Sequence, residues 1–370
     1  MARINFVLLS LIIVLTLGAS DLLAVTTLTY AVGTCKPSLP SFSTISAALA
    51  ATPAPNVVLV CPGTYPEQIV ITQAVTLQGV SNGDTGQAVI VPPSGGLTNT
   101  AANDLGDTLF YQVWVNNASG PVNLSKLTID GTGNGVTSTC FPFVVGVFLQ
   151  NSAGTVSSVA TRNQKGNLCG FGFYLEGGAS NPSVTIQNSS IHDYDFAGIE
   201  TETNSTPSEL TATITGNDVT CAFTGIDFCG GILLEAGTTD TVTGNFISST
   251  NTGIASNPSV TGSISRNTVV NVVSGGVGID AAADGVSVTS NKIINTNSNN
   301  SIGILLYTSV ATVQGNVITN ANAGIDFSCF ANPNVHSNII MDAASGVVNV
   351  PSAINTVNSY ANVGTIRSSC

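Results

Sequence analysis

The chain has 370 residues, of which 8% are charged, with 20 Asp and Glu against 8 Lys and Arg for a net charge of −12. So few cations argue against a nucleic-acid partner, which needs Lys and Arg to neutralise phosphate, and against docking on an anionic membrane. A 43% hydrophobic share excludes disorder, scarce Lys, Glu and Arg argue against a helical protein, and Val, Ile and Thr interrupted by Gly and Asn describe short strands and many turns.

Residues 1–24 read as a signal peptide: Arg3 gives a positive start, residues 6–17 form an apolar core of leader length, and small residues follow, with cleavage after Ser20 or Ala24. Residues 25–370 are then one domain of a protein that is secreted, on the cell surface or periplasmic. Residues 42–51 place Phe42, Ile45 and Leu49 on one helical face and predict a short N-terminal helix capping the open end of the body. Short strands are expected at 57–60, 69–71, 75–77 and 88–91, and another apolar unit at 124–129. Residues 92–110 break the rhythm with Pro, Gly and Asn and are expected to leave the body as a loop.

From residue 214 onward the chain repeats. An apolar residue, two spacers, Asn, one spacer and a second apolar residue recur around Asn217, Asn245, Asn267, Asn291, Asn316 and Asn338, at intervals of 28, 22, 24, 25 and 22 residues. Residues 186–191 match with Ser189 in the Asn place, and between these units a Gly followed by Ile or Val recurs at 198, 231, 253, 278, 303, 324 and 346. A period of this length, cut into short apolar runs, is one coil of three strands that must stack on its neighbours to bury its inner face. The expected fold is all-β: a single-stranded right-handed parallel β-helix, a solenoid of about ten coils over 57–350, with a C-terminal cap at 351–370. Asn at a fixed turn can stack as an amide ladder. A β-sandwich has no reason to keep such a period.

The stretch Phe42-Ser-Thr-Ile-Ser-Ala-Ala-Leu49, then Val57-Val-Leu-Val60, Pro62-Gly-Thr-Tyr-Pro-Glu67 and Val75-Thr-Leu-Gln-Gly79 resembles the opening of pectin methylesterases and other pectate-lyase-like β-helix proteins. Residues 186–347 resemble the generic repeat of the same superfamily. The resemblance implies the architecture and not an activity, because many chemistries sit on this scaffold. The later pectin methylesterase signatures are missing, as are those of polygalacturonases, and Tyr65 and Glu67 read as a coil motif. Pectate lyases use an arginine base; after the leader only Arg162, Arg266 and Arg367 exist, and Arg266 sits in a repeat turn.

Eight cysteines in an exported chain point to disulfides. Neighbours in a solenoid's sequence are close in space, which favours Cys35 with Cys61, Cys140 with Cys169, Cys221 with Cys229 and Cys329 with Cys370, although composition leaves other pairings open. No cofactor is expected. Residues 275–280 match the start of a calcium-binding nonapeptide repeat, but such sites work in tandem arrays, so calcium stays a minor reading.

After each repeated Gly, the residues one and three positions on are mainly apolar and face inward, so those two and four positions on face outward. Over three consecutive coils the outward pairs are Tyr174 and Glu176, Glu200 and Glu202, and Leu233 and Glu235. With coils about 4.8 Å apart, Glu176, Glu202 and Glu235 form a carboxylate column, and Glu200 lies about 6.7 Å from Glu202 along its strand. His192, Asp193 and Asp195 occupy the connection just before. Carboxylates roughly 5–10 Å apart suit glycosidic chemistry. Glu200, Glu202 and Glu235 are therefore the candidate catalytic residues. Tyr174, as a stacking platform, with Glu176, His192, Asp193 and Asp195, are the candidate substrate-binding residues. Cation or sugar binding without catalysis, and a plain solvated face, remain open beside this. The function read from the residues is binding of a polysaccharide or cell-wall glycan, extended to its cleavage or modification if the protein is an enzyme (a hydrolase, lyase or epimerase). The alternative is a non-catalytic structural or adhesive spacer. Oligomeric state is not legible.

Overall fold

The structure, a computed structural model, describes residues 27–81, 87–137, 140–178, 180–203, 210–221, 228–273, 275–295, 300–307, 312–329, 334–352 and 356–370. The expected leader lies outside the described residues. Among those described, no helix is long and apolar enough to cross a membrane.

The chain winds into a parallel β-helix whose typical coil gives one strand to each of three faces. The coil of Leu210–Thr215, Asp218–Thr220 and Gly230–Leu234 shows the pattern. Each of its strands pairs in parallel with a counterpart in the coil before and the coil after. The third face is a 13-stranded sheet in which one strand, Thr100–Ala102, is antiparallel and off the main path, leaving twelve stacked rungs among the described residues.

Twelve rungs exceed the ten coils expected, partly because winding continues past residue 350. The segment assigned to a C-terminal cap holds strands Val357–Ala361 and Thr365–Ser369, both paired in parallel with the coil before. The asparagine ladder carries the chain there. Asn245 donates its side-chain N–H groups to Asn267 Oδ1 at 2.9 Å and to the Ile214 carbonyl at 2.9 Å, while its backbone N–H reaches the same Asn267 oxygen at 3.0 Å. The pattern repeats down to Asn338, whose amide donates to Asn358 at 2.9 Å. Every ladder amide from Asn217 to Asn338 is buried and has both donors and its acceptor engaged, so these polar groups cost little to bury. Asn358 lacks the flanking apolar pattern, which hid the final coil.

The repeated Gly before each inward Ile has a steric cause. A Cβ on Gly253 would lie 2.5 Å from the Gly278 carbonyl oxygen and 2.5 Å from Val269 Cγ1, and the other members of the series meet the same two obstacles. Inside, Ile199, Ile232, Ile254, Ile279, Ile304 and Ile325 stack in one continuous core, all fully buried.

At the N-terminal end the helix spans Ile45–Leu49, shorter than the expected 42–51, because Phe42 pairs as a strand residue with Val32. Thr44 Oγ1 accepts from Ala47 N at 3.2 Å, and the Glu67 carboxylate accepts from the N–H groups of Ile45 at 2.8 Å and Ser46 at 2.9 Å. Those donors have no partner within the helix, so Glu67 ties the helix to the second coil.

Three disulfides form as expected: Cys35 with Cys61, Cys140 with Cys169, and Cys221 with Cys229. The residues 222–227 that the last one closes off lie outside the described residues. The fourth does not form. Cys329 and Cys370 are free thiols, with Cys370 Sγ turned to donate to the Asn349 carbonyl at 2.9 Å.

Candidate functional site

Alternation places the third-face residues as the sequence implied: Phe173, Leu175, Ile199, Ile232 and Leu234 enter the core, and Tyr174, Glu200 and Leu233 lie on the outer side. Gln150, Glu176 and Glu202 follow one another in register on successive rungs. Glu235 extends the column where its N–H bonds to the Thr201 carbonyl at 2.8 Å, and Asn257 follows through the Leu234 carbonyl at 2.8 Å. A parallel column runs Phe148, Tyr174, Glu200, Leu233, Ala255. Four of the chain's six glutamates therefore sit on one patch.

The patch is covered. Residues 92–110 do not leave the body: Thr100–Ala102 folds back antiparallel to Thr108–Asn116. Gln68 Oε1 accepts from Thr98 N and Asn99 N, both at 2.9 Å, and holds the base of this loop. Its tip reaches the column, where Asp104 N donates to Glu176, Gln150 Nε2 donates to the Ala102 carbonyl at 2.9 Å, and Asn103 Nδ2 donates to Tyr174 Oη at 3.2 Å. Tyr174 in turn donates to Glu202, and Asn257 Nδ2 donates to Glu235. Tyr174 is thus 2% exposed, packed among Phe148, Phe171 and the loop, and offers no open ring to a ligand. Its outward direction follows from the alternation, but the loop that covers it lies 71 residues away in sequence.

Cover and crowding set the electrostatics. Burial pushes Glu176 up to about 7, against the opposing hydrogen bond from Asp104 N. Glu202 is also pushed up to about 7, first by burial and then by the charges of Glu235, Asp107 and Asp104. Glu200 rises well above the ordinary range through burial and Glu235. Burial raises Glu235 as well, and the hydrogen bond from Asn257 opposes it. One oxygen of Glu176 and one of Glu200 are buried with no hydrogen-bond partner. Glu202 and Glu235 remain half-exposed.

The other three candidates are not brought to the column. His192 is on the second face, in register with Arg162 and Thr220, and its Nδ1 pairs with Asp193 at 2.7 Å. Asp195 accepts from Gly166 N and Leu168 N, both at 3.0 Å, and so fastens the preceding coil's loop. All three are close to Glu200 in sequence but turned elsewhere by the corner between faces. Conversely, sequence reasoning missed Asn103, Asp104 and Asp107, which reach the site from 71 and 72 residues away for the first two. Their only signal was an Asn-Asp and a further Asp inside a loop that interrupts the repeat. It also missed an aromatic run on the outer edge: Phe143, Phe171, Phe196 and Phe228 stack with centroids 5.3, 5.1 and 5.3 Å apart, ending in an exposed Phe228. Among the described residues, no group of three or more His, Cys, Asp or Glu is placed to hold a metal ion.

A family model described as a right handed beta helix region matches residues 145–318. No curated protein matches the chain. Among solved structures, the catalytic domain of a GH87 α-1,3-glucanase in complex with nigerose is similar at 12% identity and a TM-score of 0.53, covering 85% of this chain and 61% of that one. The A-module of the Azotobacter vinelandii mannuronan C-5 epimerase AlgE4 is similar at 16% identity and a TM-score of 0.44, covering 88% and 91%. The surface adhesin PfbA of Streptococcus pneumoniae has 16% identity and a TM-score of 0.44, covering 84% and 85%. At 12% identity the likeness to the glucanase domain is one of fold, and it agrees with the stacked parallel coils. The chain folds as a right-handed parallel β-helix, and its residues 145–318 match the family model of that repeat.

Proposed function

We propose that the outer patch of Glu176, Glu200, Glu202 and Glu235 is a glycan site, in which Glu202 donates a proton to a glycosidic oxygen and Glu235 acts as its carboxylate partner. The observation that carries this reading is the register, which sets carboxylates on adjacent rungs beside the tip of the 92–110 loop. Adjacent rungs separate such groups by roughly 5 Å, and retaining glycosidases hold their two carboxyls at about that distance. The two environments also differ in the useful direction. Burial raises both groups, but three neighbouring acids add to the rise at Glu202, whereas the Asn257 hydrogen bond opposes it at Glu235. Tyr174 positions Glu202, and Phe196 with Phe228 supply the apolar surface on which a sugar ring packs. His192, Asp193 and Asp195 take no part.

A panel of plant and microbial glycans, offered to the purified protein and to Glu202→Gln, tests this. The variant keeps size and loses the acid, so turnover of any active glycan should fall about 100-fold or more with the fold intact. Equal turnover and equal binding of every active glycan by both proteins would make the patch a solvated face, and a stiff spacer would then be the better reading.

A further inference from the structure

We infer that this site, on the reading just proposed, takes a glycan made of neutral or amino sugars and rejects chains of uronic acids. The first ground is the charge around it. Glu176, Glu200, Glu202 and Glu235 come from the sheet, and Asp104 and Asp107 from the covering loop bear on Glu202. Further along the same outer face, Asp280 aligns with Ala255 and Leu305 in the Glu200 column, and Tyr307 feels both Asp280 and Asp326.

Lys126 and Arg266 sit in turns between the first and second faces, and Arg162 and Lys292 lie on second-face strands. Arg162 is already paired with Asp130 at 2.8 Å. Among the described residues, the ion pairs of Arg162 and His192 go to Asp130 and Asp193 and not to the glutamates of the column. A uronate would enter a patch of acids whose carboxyls already resist ionising, through burial first and then, at Glu200 and Glu202, through the charge of Glu235. Each added negative charge would require a proton or a cation taken up with it.

The second ground is what the site still lacks. Glu200 is 8% exposed and Glu176 2% exposed, yet each keeps one buried oxygen without a donor. Such atoms call for a hydroxyl or ammonium hydrogen and are poor neighbours for a further carboxylate. Like-charge exclusion is an ordinary way to obtain specificity.

The test uses the full chain at low salt and pH 7.5 with three probes: glucan oligosaccharides covering several linkages, chitosan oligosaccharides, and oligosaccharides of galacturonic and mannuronic acid. Binding is read by calorimetry for the parent, Glu202→Gln and Asp107→Asn. Binding of a glucan or of chitosan, weakened by Glu202→Gln, with uronates bound at least 100-fold more weakly, supports the inference. Asp107→Asn should narrow that gap several-fold by removing one repelling charge. Uronate binding as tight as the others, and lost in Glu202→Gln, would overturn the substrate class while leaving the site in place. If none of the probes binds, the site reading itself falls, and the inference with it.

Discussion

Asp240 shows how far a single residue departs from the rule that this interior is apolar. It points into the core at 1% exposure, where its carboxylate accepts from Thr238 Oγ1 and, at 3.4 Å, from Thr201 Oγ1, while its other oxygen has no partner. Burial, only partly opposed by those hydroxyls, pushes it up to about 7. The folded chain thus holds a proton that the unfolded chain releases near the ordinary value of 3.8, so stability falls as pH rises from about 4 to about 7. Asp240→Asn keeps the shape and removes that cost. It should raise stability at pH 8 by on the order of 2 kcal/mol, since each tenfold change in ionisation is worth ~1.4 kcal/mol, and change it little at pH 4. Denaturant titrations at the two pH values check this; a variant less stable than the parent at pH 8 would contradict the interior placement. Nothing in the sequence set Asp240 apart, because the Thr-rich run 238–241 hides the period-two alternation that marks inward positions elsewhere.

At the scale of the element, the coil was legible because its constraints recur. The Asn positions and the inward Ile repeat every coil, and so does the preceding Gly, whose role is to let one coil's backbone meet the next. Gly253→Ala should cost about 1–3 kcal/mol, because the new methyl group meets a carbonyl and a packed valine at 2.5 Å, and neither is the end of a flexible chain. Unchanged thermal stability in that variant would mean the coils are spaced more loosely than the register states. Elements that occur once were not legible in the same way. The 92–110 loop has no repeat to place it, and its antiparallel strand and its contacts with Gln68, Tyr174 and Glu176 are all distant in sequence. The column could therefore be read from periodicity, and its cover could not.

At the scale of the whole molecule, scarcity gives the patch its weight. The chain carries 20 acidic residues in 370, and four of its six glutamates gather on three successive rungs of one face. Asp130 shows the contrast. Burial would raise it, but hydrogen bonds from Thr132, Asn163 and Arg162 outweigh that and hold it at about 2. Asp130 is thus satisfied and ionised, whereas the column shares with the interior Asp240 unpartnered oxygens and a reluctance to ionise, but lies on the outer face where a ligand can approach. With six glutamates in all, their side-chain carboxyl carbons can be followed singly by 13C NMR through a pH titration, each assigned by its Gln variant. Midpoints near 7 for Glu176 and Glu202, with Glu200 higher than the ordinary 4.5, are the expected result. All three titrating near 4.5 would contradict the covered column directly, and with it the acid role given to Glu202.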